Sequence, residues 1–236
     1  MEKYQNLSFG LKLAFLGKLL QTICEVLPFM LFWAAWLFLG AGRWFIIVVP
    51  ACYFGKILFP IMCVTGLCIV GEEIGVYKKA AALCFVDIAA LVIRFIVQAD
   101  GIDDITYVIH CAIKGMSVND LRMDGVDTWV AVITDIVHCV VIFLMVYFVC
   151  TSIASVLEEL DAGRIAQFGI MAWKMQLVVG IFYMIVSFFC PGSSLADWSG
   201  LANFVAAFLY LRFLYKSFRV LGTQDKIREE GKKYEN

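Results

Sequence analysis

Apolar residues along this chain do not alternate with polar ones at the spacing of a half-buried strand. They run on, broken only by short polar intervals. Six runs stand out, at 9–39, 44–70, 77–98, 128–157, 168–190 and 201–221. Crossing about 30 Å of hydrocarbon takes ~20 helical residues. The pattern therefore predicts an all-α fold: a polytopic integral membrane protein, a bundle of about six transmembrane helices forming one domain over residues 1–222. The first run is too long for a straight crossing. It carries a ragged polar stripe, Ser8, Lys12, Gln21, Thr22 and Glu25, and Pro28 is placed to kink it. One kinked helix is expected there, the alternative being an interfacial helix up to Gln21 followed by a short span. Pro50 and Pro60 make the second run irregular.

Composition sharpens this picture. Of 236 residues, 62% are hydrophobic and 20 are Phe. A soluble domain holds about 45–50% apolar residues, so one soluble core would not absorb the excess. The mean hydropathy is +0.87. Residues 1–10 lack a signal-peptide cleavage pattern, and the first helix is expected to serve as an uncleaved anchor. Net charge is −1, with no basic stripe beyond the C-terminal tail, which speaks against nucleic acid as a partner. The lipid bilayer is the partner that composition implies.

Charge position gives an orientation. With the N-terminus in the cytoplasm and six crossings, the cytoplasmic segments hold Lys3, Lys12, Lys78, Lys79, Arg164, Lys174, Lys216, Arg219, Lys226, Arg228, Lys232 and Lys233. The outer loops hold Arg43, Lys114 and Arg122. This follows the positive-inside rule and places both termini in the cytoplasm. Trp44, Trp129 and Trp198 then fall at outer helix ends, and Tyr77, Trp173 and Tyr215 at inner ones. The outer loop 99–127 is acidic, with an apolar middle, Ile105 to Met116, suited to a short interfacial helix. Residues 223–236 form a charged tail expected to fray.

The informative residues are ionisable groups inside the predicted spans: Glu25, Lys56, Asp87, Arg94, Asp135 and His138. A charge at mid-bilayer costs ~2.5–3.5 kcal/mol on insertion scales, so partners are expected. At a rise of about 1.5 Å per residue, Asp87 and His138 lie at similar depth, roughly 15 Å from the outer ends of helices three and four. Arg94 and Asp135 are both shallower. Two stacked rungs follow, Asp87 with His138 and Arg94 with Asp135, and Glu25 with Lys56 makes a third pair between helices one and two. Such groups either neutralise one another and fix helix packing, or line a polar pathway for protons, ions or a charged solute. A carboxylate–histidine chain suits a proton relay.

Other motifs carry less. Cys24, Cys63, Cys68, Cys84, Cys139, Cys150 and Cys190 lie in apolar runs with no CxxC pair, and read as small buried hydrophobes. Glu72-Glu73 resembles the paired glutamates of CAAX-type membrane proteases, but Ile-Gly-Val-Tyr-Lys-Lys follows, without the expected Arg. A solvated inner turn beside Lys78 and Lys79 is the plainer reading. Ser193 and Ser194 with His110 resemble the Ser and His of rhomboid-like proteases, yet fall in outer loops. Asp100-Gly-Ile-Asp103 and Asp124-Gly-Val-Asp127 offer hard oxygens for Ca²⁺, without an EF-hand loop, and Asp-Gly is a common turn. There is no GxxxxGK[ST], GxGxxG or HExxH, so no metal centre, cofactor or catalytic residue is assigned. Gly10-x3-Ala14 and Ala202-x3-Ala206 permit close helix contact within the fold or with a partner. Arg212, Lys216 and Arg219 form a juxtamembrane basic cluster, explained as a topology anchor.

The Tyr-Lys-Lys-Ala start of helix three and the Trp-Lys before helix five look like small multi-pass membrane proteins of bacteria, which implies a bacterial cytoplasmic membrane and no activity. The leading reading is a transport-related protein, a small carrier or the membrane subunit of a transporter, acting on a small molecule or ion. The runner-up is a non-catalytic assembly or regulatory protein, with a second membrane subunit or a second copy as partner. An intramembrane hydrolase comes third.

Overall fold

The computed structural model describes residues 2–38, 42–97, 128–189 and 194–234. It is all-helical: α1 (Glu2–Phe38), α2 (Gly42–Glu73), α3 (Val76–Val97), α4 (Thr128–Glu159), α5 (Gly163–Phe189) and α6 (Ser194–Tyr234). Each helix packs on the next, and α6 returns to pack on α1. The six therefore form a closed ring with α4 and α6 touching across it. Every neighbour runs antiparallel. A ring with that property closes only on an even number of helices, and six meets the condition.

Local chemistry sets the helix ends. The α4–α5 turn closes as a Schellman motif: Ala162 N–H donates to the Leu157 carbonyl at 2.8 Å and Asp161 N–H to that of Glu158 at 3.1 Å. Asp161 takes the left-handed conformation this needs (φ 56°), which aspartate tolerates better than most residues. The α2–α3 turn is shorter still. Ile74 N–H donates to the Val70 carbonyl and Tyr77 N–H to that of Ile74, both at 2.9 Å.

The closest approach is between α1 and α2. A methyl group at Gly17 would lie 2.6 Å from the Cys63 backbone nitrogen and 2.8 Å from the Phe59 carbonyl oxygen. One at Gly66 would collide with the Gly10 carbonyl oxygen and lie 2.5 Å from the Ala14 nitrogen. The Gly10-x3-Ala14 pair thus serves a contact within the fold, and Gly17 extends it by another turn. At the α6–α1 seam, Ser8 donates its hydroxyl to the Phe218 carbonyl at 3.0 Å. Phe15 packs there against the rings of Tyr215 and Phe218.

Among the described residues, the buried core lies toward the two short turns. Leu7, Leu11, Leu67, Ile153, Phe213 and Leu214 are fully buried there. Outward, every helix shows large apolar side chains to the surroundings: Phe9, Phe54, Phe85, Ile133, Val178 and Phe208 are all more than half exposed. So wide an apolar exterior suits lipid and not water. Among the described residues, four segments are long and apolar enough to cross a membrane: Tyr4–Cys24, Phe54–Glu73, Ile136–Glu159 and Gly163–Val186. The other two of the six expected, in α3 and α6, do not reach that length and hydropathy within the described residues. In α3 the short described run carries Lys78, Lys79 and Asp87, which dilutes its apolar character.

The first apolar run is a single helix, the reading favoured over an interfacial helix and a separate span, and it starts at Glu2, ahead of the apolar run. The structure corrects other expectations. Helix α6 continues to Tyr234, so the charged tail is helical where fraying was expected. Tyr77 is no belt residue: it is buried and donates its hydroxyl to the Val149 carbonyl at 3.1 Å. Trp173 and Lys174 sit about 15 Å inside α5, because that helix starts at Gly163. Cys68 is exposed, whereas Cys24, Cys63, Cys84 and Cys150 are buried and Cys139 half-buried. Arg212 and Lys216 of the basic cluster lie over the Phe168 ring, at 5.7 and 5.4 Å. The loop 99–127 and Cys190 lie outside the described residues.

Adding volume at the α1–α2 contact is expected to destabilise the ring. Gly66→Ala should cost about 1–3 kcal/mol, the usual penalty for overpacking. Gly180, with nothing within 4 Å of an added methyl, is the control. Gly180→Ala should be neutral or stabilising by up to ~1 kcal/mol. Thermal unfolding of the purified variants in one detergent checks both.

Candidate functional site

Two cross-helix contacts fix how α3 and α4 face each other. Tyr77 holds the Val149 carbonyl, and two turns along, the Cys84 thiol donates to the Met145 thioether at 3.5 Å. One further turn along α3 places Asp87 opposite His138. The Asp87 Oδ1 and His138 Nδ1 atoms are 2.5 Å apart. The Asp87 side chain is only 6% exposed, that of His138 28%. An ionised carboxylate here holds the proton on Nδ1, so Nε2 is the nitrogen that takes up or releases a second proton. When Nε2 is protonated, the carboxylate balances the imidazolium charge. Loaded with that proton the pair is neutral, and without it the pair carries one negative charge.

A third ionisable group sits in the interior. Lys18 of α1 is almost fully buried and donates to Gln21 Oε1 at 3.1 Å. The Thr22 hydroxyl turns back to the Lys18 carbonyl at 2.8 Å. The charges of both Lys18 and Asp87 act on a pair of buried thiols, Cys63 of α2 and Cys84 of α3, which are themselves in hydrogen-bond contact. The charge of the same thiols also bears on Tyr210 of α6. Five of the six helices thus contribute to one buried polar cluster: Lys18, Cys63, Cys84 with Asp87, His138 with Met145, and Tyr210. Two of its buried polar atoms, the Tyr210 hydroxyl and Gln21 Nε2, have no hydrogen-bond partner among the described residues. Such atoms cost about 1–3 kcal/mol each when left unmet, which makes this the chemically unfinished part of the interior. A separate polar contact, Gln176 Nε2 donating to Asn203 Oδ1 at 3.1 Å, ties α5 to α6.

Of the six residues singled out in the sequence, the structure brings Asp87 and His138 together as one rung. Lys56 is half-buried, and its neighbour Gly55 lies against Cys24, so the antiparallel register brings positions 25 and 56 level. The Glu25 side chain lies outside the described residues, as do those of Arg94 and Asp135. Glu73 accepts a hydrogen bond from Asn6 Nδ2 at 3.1 Å and Glu72 is exposed, as befits a solvated turn. His110, Ser193 and the Asp-Gly-x-Asp segments fall outside the described residues. Among the described residues, no group of three or more His, Cys, Asp or Glu is placed to hold a metal ion. The sequence reading missed Lys18, which was legible: it stands three and four residues before Gln21 and Thr22, on the same stripe. Tyr210 was not, being one aromatic in an apolar run.

No known protein family, curated protein or solved structure matches the chain. The residues themselves carry the functional argument.

The Asp87–His138 contact is expected to be energetically coupled. A double-mutant cycle with Asp87→Asn and His138→Gln should return a coupling of about 1–3 kcal/mol, read from unfolding in detergent. A coupling near zero would mean that the contact does not organise α3 against α4.

Proposed function

We propose that the chain is a transport-related protein of the bacterial cytoplasmic membrane, either a small carrier or the membrane subunit of a transporter. All six helices would cross the bilayer, with both termini in the cytoplasm. The observation that carries this reading is the Asp87–His138 pair, held inside the ring with two buried thiols on which both Asp87 and the buried Lys18 act electrostatically. Ionisable groups at such depth are costly, so those that persist are paired and commonly mark a pathway. A carboxylate that fixes one imidazole nitrogen and leaves the other to exchange a proton is the arrangement a proton-coupled step needs.

The packed half of the ring sets the second requirement. With Leu67, Ile153, Phe213 and Leu214 filling the interior on the side of the short turns, the cluster is closed off at that end. Transport therefore requires a second conformation in which that end opens. The same packing favours a second reading, an assembly or regulatory protein whose buried charges hold the bundle together.

Two measurements separate these readings. In intact membranes, a small water-soluble maleimide is expected to label Cys84, which is buried in the closed form, as the protein samples the open one. In proteoliposomes with an internal pH dye, solute-dependent proton movement should fall by roughly tenfold or more in Asp87→Asn and His138→Gln, with insertion retained. Full protection of Cys84, with proton movement equal in all three proteins, would sink the transport reading and leave the structural one.

A further inference from the structure

The polar cluster contains a sulfur group that proton exchange does not use. Cys63 of α2, Cys84 of α3 and Met145 of α4 come from three consecutive helices and meet in the interior. Cys84 Sγ lies 3.5 Å from Met145 Sδ and in hydrogen-bond contact with the Cys63 thiol. All three residues are at least 96% buried. We propose that Cys63, Cys84 and Met145 form a binding site for one soft monovalent metal ion, Cu(I).

The ligand set decides the class of metal. Thiolate and thioether sulfurs select Cu(I), which accepts two or three ligands. Harder divalent ions want more nitrogen or oxygen donors than the described residues bring together. Spacing agrees: at metal–sulfur distances of about 2.3 Å, two sulfurs on one three-coordinate ion stand roughly 4 Å apart. The Cys84–Met145 pair, at 3.5 Å, needs to open by about half an ångström.

Charge balance agrees as well. Binding replaces two S–H bonds by two Cu–S bonds and releases two protons. Two thiolates and one Cu(I) leave a single negative charge, and the buried Lys18, whose charge acts on both thiols, offsets it. The Tyr210 hydroxyl adds to this: it is buried, lacks a hydrogen-bond partner among the described residues, and lies where the charge of both thiols bears on it. A metal-bound thiolate draws such a donor more strongly than a neutral thiol does. The site stands whether or not the protein moves solutes.

The test uses the full chain in detergent, reduced with a phosphine, and Cu(I) supplied against a chromophoric chelator. Wild type is expected to retain one Cu(I) per chain, with sulfur-only ligation by X-ray absorption. Cys63→Ser and Cys84→Ser should each weaken retention by roughly tenfold or more, and Met145→Leu, which keeps the apolar volume, by a smaller factor. Cys68→Ser, at an exposed thiol, should change nothing. Matching elution and melting profiles establish that the variants fold. Failure of wild type to hold Cu(I), or equal retention by the Cys63→Ser/Cys84→Ser double variant, overturns the proposal.

Discussion

Four of the described segments are long and apolar enough to cross a membrane, and a bundle set in lipid would gain nothing by hiding apolar side chains from it. Helices in that setting are held by close packing and by polar contacts between them. The ring therefore leans on the α1–α2 contact, where Gly10, Ala14 and Gly17 lie against Cys63 and Gly66 backbone to backbone. This contact brings Lys18 and Cys63 to the interior together. A side chain of ordinary size at Gly17 or Gly66 would push α1 outward, and the lysine would leave the thiols.

Among the described residues the interior changes along its length. Near the two short turns it is filled with leucine, isoleucine and phenylalanine. Farther along it changes to lysine, glutamine, threonine, aspartate and histidine. A buried ionic group stabilises a fold only when its partners are well placed, and it is often no better than the apolar packing it displaces. Here the partners come from separate helices, so each polar contact also fixes a register. Asp87 and His138 set α3 against α4, and Gln176 and Asn203 set α5 against α6.

Much of this was legible in the sequence. Long apolar runs separated by short polar breaks identify helices reliably, and all six runs correspond to helices. Their ends were read too short, because charged residues such as Lys226 and Arg228 extend a helix as readily as they end a span. The Asp87–His138 rung followed from depth alone, since antiparallel helices place equal depths side by side. Ring closure did not follow, because nothing in a local pattern says that the last helix returns to the first. Contacts among residues that also serve as plain packing, such as Cys63, Cys84, Met145 and Tyr210, were equally hidden. Their chemistry appears only when four helices bring them together.

The two short turns have a mechanical consequence. Residues 74–75 and 160–162 tie α2 to α3 and α4 to α5 at one rim, with hydrogen bonds that leave no slack. The α2–α3 and α4–α5 hairpins are thus tied units at that rim, and α3 parts from α4 there only by breaking the Tyr77–Val149 contact.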